Sequence, residues 1–282
     1  MHFLEVNMNF SEHLTPNGFE PQALKECLTF HDSTKVKPYS SIKAFLRVGE
    51  YLDSLRGIEE TSRNYRPFIS EFEDLKDIDL PTMGFDALNA DRISTRSYSK
   101  DGVFDRITVL SALKSACDTR IGYSSLSNTA EIGFRGYPSA GGLFPIDVYV
   151  LERTANGFNL GYLNAREHRL YHVHSFSAED RIPLSKALCD GQKDLMANAK
   201  GVFIFTSVWE RTIIKYGKQG YRFALMELGI VSHHIGMCLT AQKVASLHWG
   251  GGFDDLMGEQ IGIDPRSETV GHLMWYGVAD AE

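Results

Sequence analysis

Between Tyr221 and about Ala245 apolar side chains fall on nearly every side of a helical wheel: Phe223, Ala224, Leu225, Met226, Leu228, Ile230, Val231, Ile235, Met237, Leu239 and Val244. A surface helix keeps one polar face, whereas a helix apolar all round is buried. The stretch therefore predicts a central helix about 37 Å long, at about 1.5 Å per residue. Its longest run without Asp, Glu, Lys or Arg, Leu228–Gln242, contains His233 and His234. It is shorter than the roughly 18 residues a membrane span wants, so protein rather than lipid is the expected surrounding.

What packs around such a helix is readable from the other periodicities. Gly201-Val-Phe-Ile-Phe-Thr-Ser-Val-Trp is a continuous β-branched and aromatic run, read as a strand buried on both faces. Further strands are expected at Ile146–Leu151, Phe158–Tyr162, Arg169–Val173 and Val270–Gly277, with a turn at Asn156-Gly157. Helices are expected around Asp105–Cys117, Ala178–Leu188 and Gln192–Asn198. Strands interleaved with helices, one of them central, predict an α+β fold: a mixed sheet with a central buried helix.

The first 80 or so residues differ in character. Glycine is scarce, charge is dense, and Ser40 to about Arg56 reads as a mixed-charge helix. Pro67 and Pro81 bracket the acidic Glu71-Phe-Glu-Asp-Leu-Lys-Asp, which looks like a surface connection. The expected division is an N-terminal extension or docking subdomain over 1–82 and a main domain over 83–282.

A balance of 29 Lys+Arg against 36 Asp+Glu, net −7, without a dense basic stripe, disfavours nucleic acid as a partner. Cys27, Cys117, Cys189 and Cys238 lie far apart. They support neither a zinc cage nor a disulfide framework, and a cytoplasmic location is expected. Met1-His-Phe-Leu-Glu does not read as a secretory signal. Adjacent helical histidines point about 100° apart, so His233 and His234 cannot serve one ion. His172 and His174 share a strand face but lack a third ligand nearby in sequence, so no metal site is expected.

No dinucleotide fingerprint, P-loop, zincin motif or nucleophile elbow occurs. The unusual segment is Arg135-Gly-Tyr-Pro-Ser-Ala-Gly-Gly-Leu-Phe-Pro-Ile-Asp-Val. Its core of Pro138, Ser139, Ala140, Gly141, Gly142 and Leu143 would let backbone approach a flat ligand, because no large side chain intervenes. Arg92, Ser94 and Arg96 offer guanidiniums and a hydroxyl at alternate positions, and an arginine fork suits phosphate. Trp249-Gly-Gly-Gly-Phe253 is a second backbone-rich surface, and Lys215-Tyr216 precede the central helix.

Together these residues resemble the nitroreductase-like flavin family, and within it the SagB/McbC-type azoline dehydrogenases of thiazole/oxazole-modified microcin synthetases. Pro138–Val148 is similar to that branch's P-S-[AG]-G-[AG]-L-[YF]-P-I-[ED]-V motif. Lys215-Tyr216 followed by Gly220-Tyr-Arg-Phe-Ala-Leu-Met-Glu-Leu-Gly229 is similar to its K-Y pair and G-Y-R-x-A-L-M-E-x-G. Arg92–Tyr98 matches R-x-S-x-R-x-[FY]. The resemblance runs from about Arg92 to Tyr276.

The resemblance implies FMN as cofactor and oxidation of peptide thiazolines and oxazolines to thiazoles and oxazoles, with dioxygen as acceptor. It implies Lys215 as base with Tyr216 beside it. For the flavin it implies Arg92, Ser94, Arg96, Pro138–Leu143, Arg222, Glu227, one of His233 and His234, and Gly251, Gly252 and Phe253. His272 stands where the family usually has proline. Implied partners are a ribosomally made precursor peptide, a YcaO-type cyclodehydratase, precursor-binding subunits and a second copy of the chain. Two alternatives remain open at this level: an NAD(P)H-dependent nitro- or ene-reductase, and a non-catalytic scaffold of a peptide-modifying complex.

Overall fold

The computed structural model describes residues 46–47, 49–63, 71–77, 84–124, 127–189, 193–216, 219–250, 252, 254–264 and 268–280. Four elements lead to a small hairpin: α1 (Leu55–Arg63), β1 (Glu71–Asp74), α2 (Phe85–Asp91) and α3 (Arg106–Cys117), then β2 (Arg120–Ser124) and β3 (Ser127–Phe134). There follow β4 (Ile146–Thr154), β5 (Gly157–Asn164), β6 (Arg169–Ser177), α4 (Arg181–Cys189) and α5 (Lys193–Asn198). The chain continues with β7 (Gly201–Val208), α6 (Glu210–Tyr216), α7 (Gln219–Ala241), β8 (Ala245–Trp249), α8 (Asp254–Ile261) and β9 (Glu268–Gly277).

Among the described residues seven strands form one sheet in the order β1-β6-β5-β4-β7-β9-β8, and every pairing in it is antiparallel, which corrects the expectation of a mixed sheet. Strand β7 lies inside the sheet, as its unbroken apolar run predicts. Val202 and Ile204 enter one core, and Phe203 and Phe205 enter the other. The first core receives Leu184, Leu188, Leu195 and Met257 from α4, α5 and α8. The second receives Leu113 from α3 and Val231, Ile235 and Leu239 from α7. Helices thus cover both faces of an antiparallel sheet, which is the expected α+β class with the long helix packed against its middle.

Three further sequence expectations need correction. The helix ends at Ala241, four residues early; Lys243 turns with φ 60° and Ala245 opens β8. Nor is the helix buried all round: Leu225, Met226 and Ile230 are exposed, because the sheet and α3 cover only one side. By length and composition α7 could cross a membrane, yet more than half of its most apolar window is buried within the molecule. The acidic Glu71–Asp74 pairs with β6 instead of forming a connection. Leu75 follows it into the core at 1% exposure, its N–H donating to the His168 carbonyl at 2.8 Å. The β4–β5 hairpin is present, with Thr154 opposite Gly157.

Candidate active site

Ser139 opens a single 3₁₀ turn, Ala140–Gly142. Gly141 (φ 64°), Gly142 (φ 68°) and Phe144 (φ 44°) adopt left-handed backbone within four residues, which costs a side-chain-bearing residue about 1–2 kcal/mol. The turn persists because it is pinned. The Ser139 hydroxyl accepts from the Phe144 N–H at 2.8 Å, and the Gly142 N–H donates to the Ser139 carbonyl at 3.1 Å. Arg211 then clamps the exit: its guanidinium donates to both Asp147 carboxylate oxygens at 2.8 and 3.0 Å and to the Phe144 carbonyl at 3.1 Å.

Helix α6 ends directly above this turn. A Cβ on Gly141 would stand 2.5 Å from the Tyr216 hydroxyl and 2.8 Å from Lys215 Nζ. Glycine is therefore required here twice over, by backbone angle and by space. Lys215 is only 6% exposed, and burial holds its pKa below the ordinary lysine value. Burial, with Tyr51 nearby, raises that of Tyr216. An amine whose pKa burial lowers, beside a phenol whose pKa burial raises, is an arrangement that can accept and hold a proton.

Beneath the turn, α7 presents Glu227, 2% exposed. Among the described residues neither of its carboxylate oxygens has a hydrogen-bond partner of good geometry. Burial lifts its pKa from the ordinary 4.5 to about 7, and Ser139, Arg135 and Arg211 pull the other way. Arg135 donates to the Tyr137 hydroxyl at 2.6 Å and lies 4.2 Å from the Phe144 ring centre. Its Nε is also unpartnered among the described residues. Buried polar groups left unsatisfied in this way, next to backbone bare of side chains, fit a flat polar cofactor.

The remaining expected residues divide. Pro138, Ser139, Ala140, Gly141, Gly142, Leu143, Lys215, Tyr216 and Glu227 come together. Arg92, Ser94 and Arg96 lie on an extended segment beside edge strand β8, where Ser94 bridges Ser246. The Thr95 hydroxyl there is buried and has no partner among the described residues. Arg92 is close enough to His248 to depress its pKa, although burial and His272 matter more. Those two rings stack, Nδ1 of His248 lying 2.9 Å from Nε2 of His272.

His233 and His234 diverge as helical spacing requires. His234 points at Gly136, Nε2 lying 3.2 Å from where a Cβ would be, while His233 is exposed. Arg222 and His233 belong with Met226 to the side of α7 that the sheet leaves uncovered. Gly252 stands apart from the turn: a Cβ on it would collide with Leu273 on the α4 side of the sheet. Packing explains that glycine. Gly251 and Phe253 fall outside the described residues.

Sequence reasoning missed three participants. Arg211 had one available signal, since Asp147 within a buried apolar strand demands a cationic partner. Arg135 sat at the edge of the quoted loop without a role. Tyr51 gave no signal, because an aromatic in a mixed-charge helix is ordinary.

A model of the nitroreductase family matches residues 90–277. MJ1384 of Methanocaldococcus jannaschii, which carries the nitroreductase name, is 27% identical over 144 residues, covering 50% of this chain and 70% of that protein. The microcin B17-processing protein McbC of Escherichia coli is 25% identical over 149 residues, covering 51% of this chain and 54% of McbC. The match to McbC thus spans about half of that protein.

A nitroreductase structure from Anabaena variabilis superposes with TM-score 0.65 at 20% identity, over 88% of this chain and 45% of that one. The Escherichia coli McbBCD microcin synthetase complex, with truncated pro-MccB17 bound, contains a chain matching with TM-score 0.55 at 17% identity, over 93% and 95%. At these identities the structural likeness speaks for the fold. The family match covers most of the chain and includes the turn, the Lys-Tyr pair and the central helix: the chain belongs to the nitroreductase family.

Proposed function

We propose that this nitroreductase-family oxidoreductase is an FMN-dependent azoline dehydrogenase, converting thiazolines and oxazolines of a ribosomally made peptide to thiazoles and oxazoles. The observation that carries the reading is the convergence of Lys215 Nζ and the Tyr216 hydroxyl over the bare backbone of Gly141. The 25% identity to McbC supports it.

FMN fits the site's bare turn and unpartnered polar atoms. Ser139–Leu143 and Glu227 would border its ring system, and Arg92, Ser94 and Arg96 would take its phosphate and ribityl chain. When bound, the flavin supplies a two-electron hydride acceptor, with dioxygen as the terminal oxidant. The chain's own residues do the rest. Lys215, its pKa lowered by burial, takes the acidic α-proton of the azoline ring. The Tyr216 hydroxyl fixes the heterocycle and shares that proton. Two ring C–H bonds break, one losing a proton and the other a hydride, and one ring C=C bond forms.

The apolar stripe of Leu225, Met226 and Ile230 supports a homodimer, since a second copy would cover it. The precursor peptide arrives already cyclised by a YcaO-type cyclodehydratase in the cytoplasm. Residues 1–82 act as the docking extension for that enzyme and for the precursor-binding subunits, and 83–282 as the flavin domain.

Purified protein is expected to show a flavin absorption spectrum. Lys215→Ala is expected to keep the flavin while azoline accumulates by mass spectrometry; azole formation at the wild-type rate by that variant would end the assignment. Rapid bleaching of the flavin by NADPH alone would favour a small-molecule reductase, the activity in MJ1384's name. A colourless protein that still binds the cyclodehydratase would mark a scaffold.

A further inference from the structure

Lys215 is enclosed by more than its own helix and the turn. Its Nζ lies 5.5 Å from the Tyr216 ring centre and 5.2 Å from that of Tyr51. Tyr51 comes from the helical residues 49–53, about 160 positions earlier in the chain. It is 7% exposed and belongs to a small buried cluster with Ile58 of α1 and Leu143 of the turn, against which Leu52 and Tyr216 pack. A segment expected to serve docking therefore reaches the amine at the centre of the site.

We propose that Tyr51 is a positioning residue of the active site, whose ring walls the Lys215 amine off from water and holds it over Gly141. The inference rests on the reading of Lys215 as the base only for its catalytic meaning; the enclosure itself is geometric. The groups facing the amine are the Tyr51 ring from the N-terminal helical segment, the Tyr216 phenol from α6 and the backbone of Gly141 from the turn. Of nearby charges on these elements, Arg211 is tied to Asp147, and Glu227 lies below Ser139 on α7.

The Tyr51 ring acts on Lys215 in two opposed ways. Its aromatic face favours the ammonium form. Its bulk excludes water and favours the neutral amine. Burial lowers the lysine's pKa, and the ring, 5.2 Å from Nζ, is part of that burial. Substitutions that remove one effect without the other should therefore move the lysine in opposite directions.

The test is competitive acetylation of the full-length protein across pH, read by peptide mass spectrometry, with exposed Lys186 as internal reference. Wild-type Lys215 should titrate below the ordinary lysine value, and Tyr51→Phe should match wild type. Tyr51→Leu keeps a smaller apolar side chain against the amine and loses the ring face, so its Lys215 midpoint should fall. Tyr51→Ala admits water, so its midpoint should rise by about one pH unit or more. Leucine and alanine variants that both leave the midpoint unchanged, or move it the same way, would overturn the proposal. If Tyr51→Ala does not fold, the pair Tyr51→Phe and Tyr51→Leu decides, and equal midpoints overturn it. Should Lys215→Ala still make azoles while the labelling shifts appear as stated, the functional reading fails and the role of Tyr51 in enclosing the amine stands.

Discussion

At the scale of single residues, Gly141 and Glu227 make opposite demands. Gly141→Ala places a methyl in left-handed backbone and against the ends of Lys215 and Tyr216. We expect the fold to survive with a loss of about 1–2 kcal/mol. Azole formation should fall at least tenfold, an increase of about 1.4 kcal/mol in the barrier. Circular dichroism and product mass separate the two effects. Glu227 titrates near 7 when folded and near 4.5 otherwise, so the native state holds its proton more tightly. This contribution favours folding fully below the lower value and is lost as pH rises through about 7. Glu227→Gln should remove that slope. Denaturant midpoints of the apoprotein at pH 5 and pH 8 should converge relative to wild type, a difference of at most about 3 kcal/mol.

Much of this chemistry was legible residue by residue, because glycines, prolines and a Lys-Tyr pair stand in one short vocabulary of motifs. What was not legible was distance. Nothing local to Tyr51 or Arg211 announces a partner 60 or 160 positions away. Gly252 looked like ligand-facing backbone until its close approach to Leu273 explained it.

At the scale of elements, the turn depends on a strand and a helix held by one ion pair. Arg211 of α6 and Asp147 of β4 are 14% and 4% exposed at their side chains. Breaking such a pair strands a charge away from water. Asp147→Asn should cost about 3 kcal/mol by urea unfolding and loosen α6 over the turn, so flavin retention should fall with stability. Helix α7 shows why periodicity overreached. Its sequence reports that every side is apolar, and does not say whether one chain or two provide the cover. Met226, 62% exposed on the open side, gives the check: Met226→Glu should shift sedimentation of the protein from dimer to monomer. Wild-type protein that already sediments as a monomer would remove the dimer from the proposal.

At the scale of the whole molecule, the N-terminal residues do more than precede the sheet. Strand β1 and Leu75 are built into it, and Tyr51 reaches the candidate site. Deleting residues 1–44 leaves these contacts in place and is the truncation that isolates docking. It should retain a bound flavin and lose pull-down by the cyclodehydratase; unchanged pull-down would move the docking surface elsewhere.

Strand β1 carries one more consequence. Among the described residues it is the outermost strand at its end of the sheet, four residues long, with three of them acidic. A strand arriving beside it would meet a row of carboxylates and run out of backbone partners after a few positions. At the other end, the segment from Ser94 to Thr95 already lies along β8, the Thr95 N–H donating to the Ser246 carbonyl at 3.1 Å. Neither border of the sheet welcomes growth by strand addition. Copies of this chain that meet in solution are therefore steered toward helix-to-helix contact, and away from the open-ended ribbon stacking through which exposed sheets aggregate.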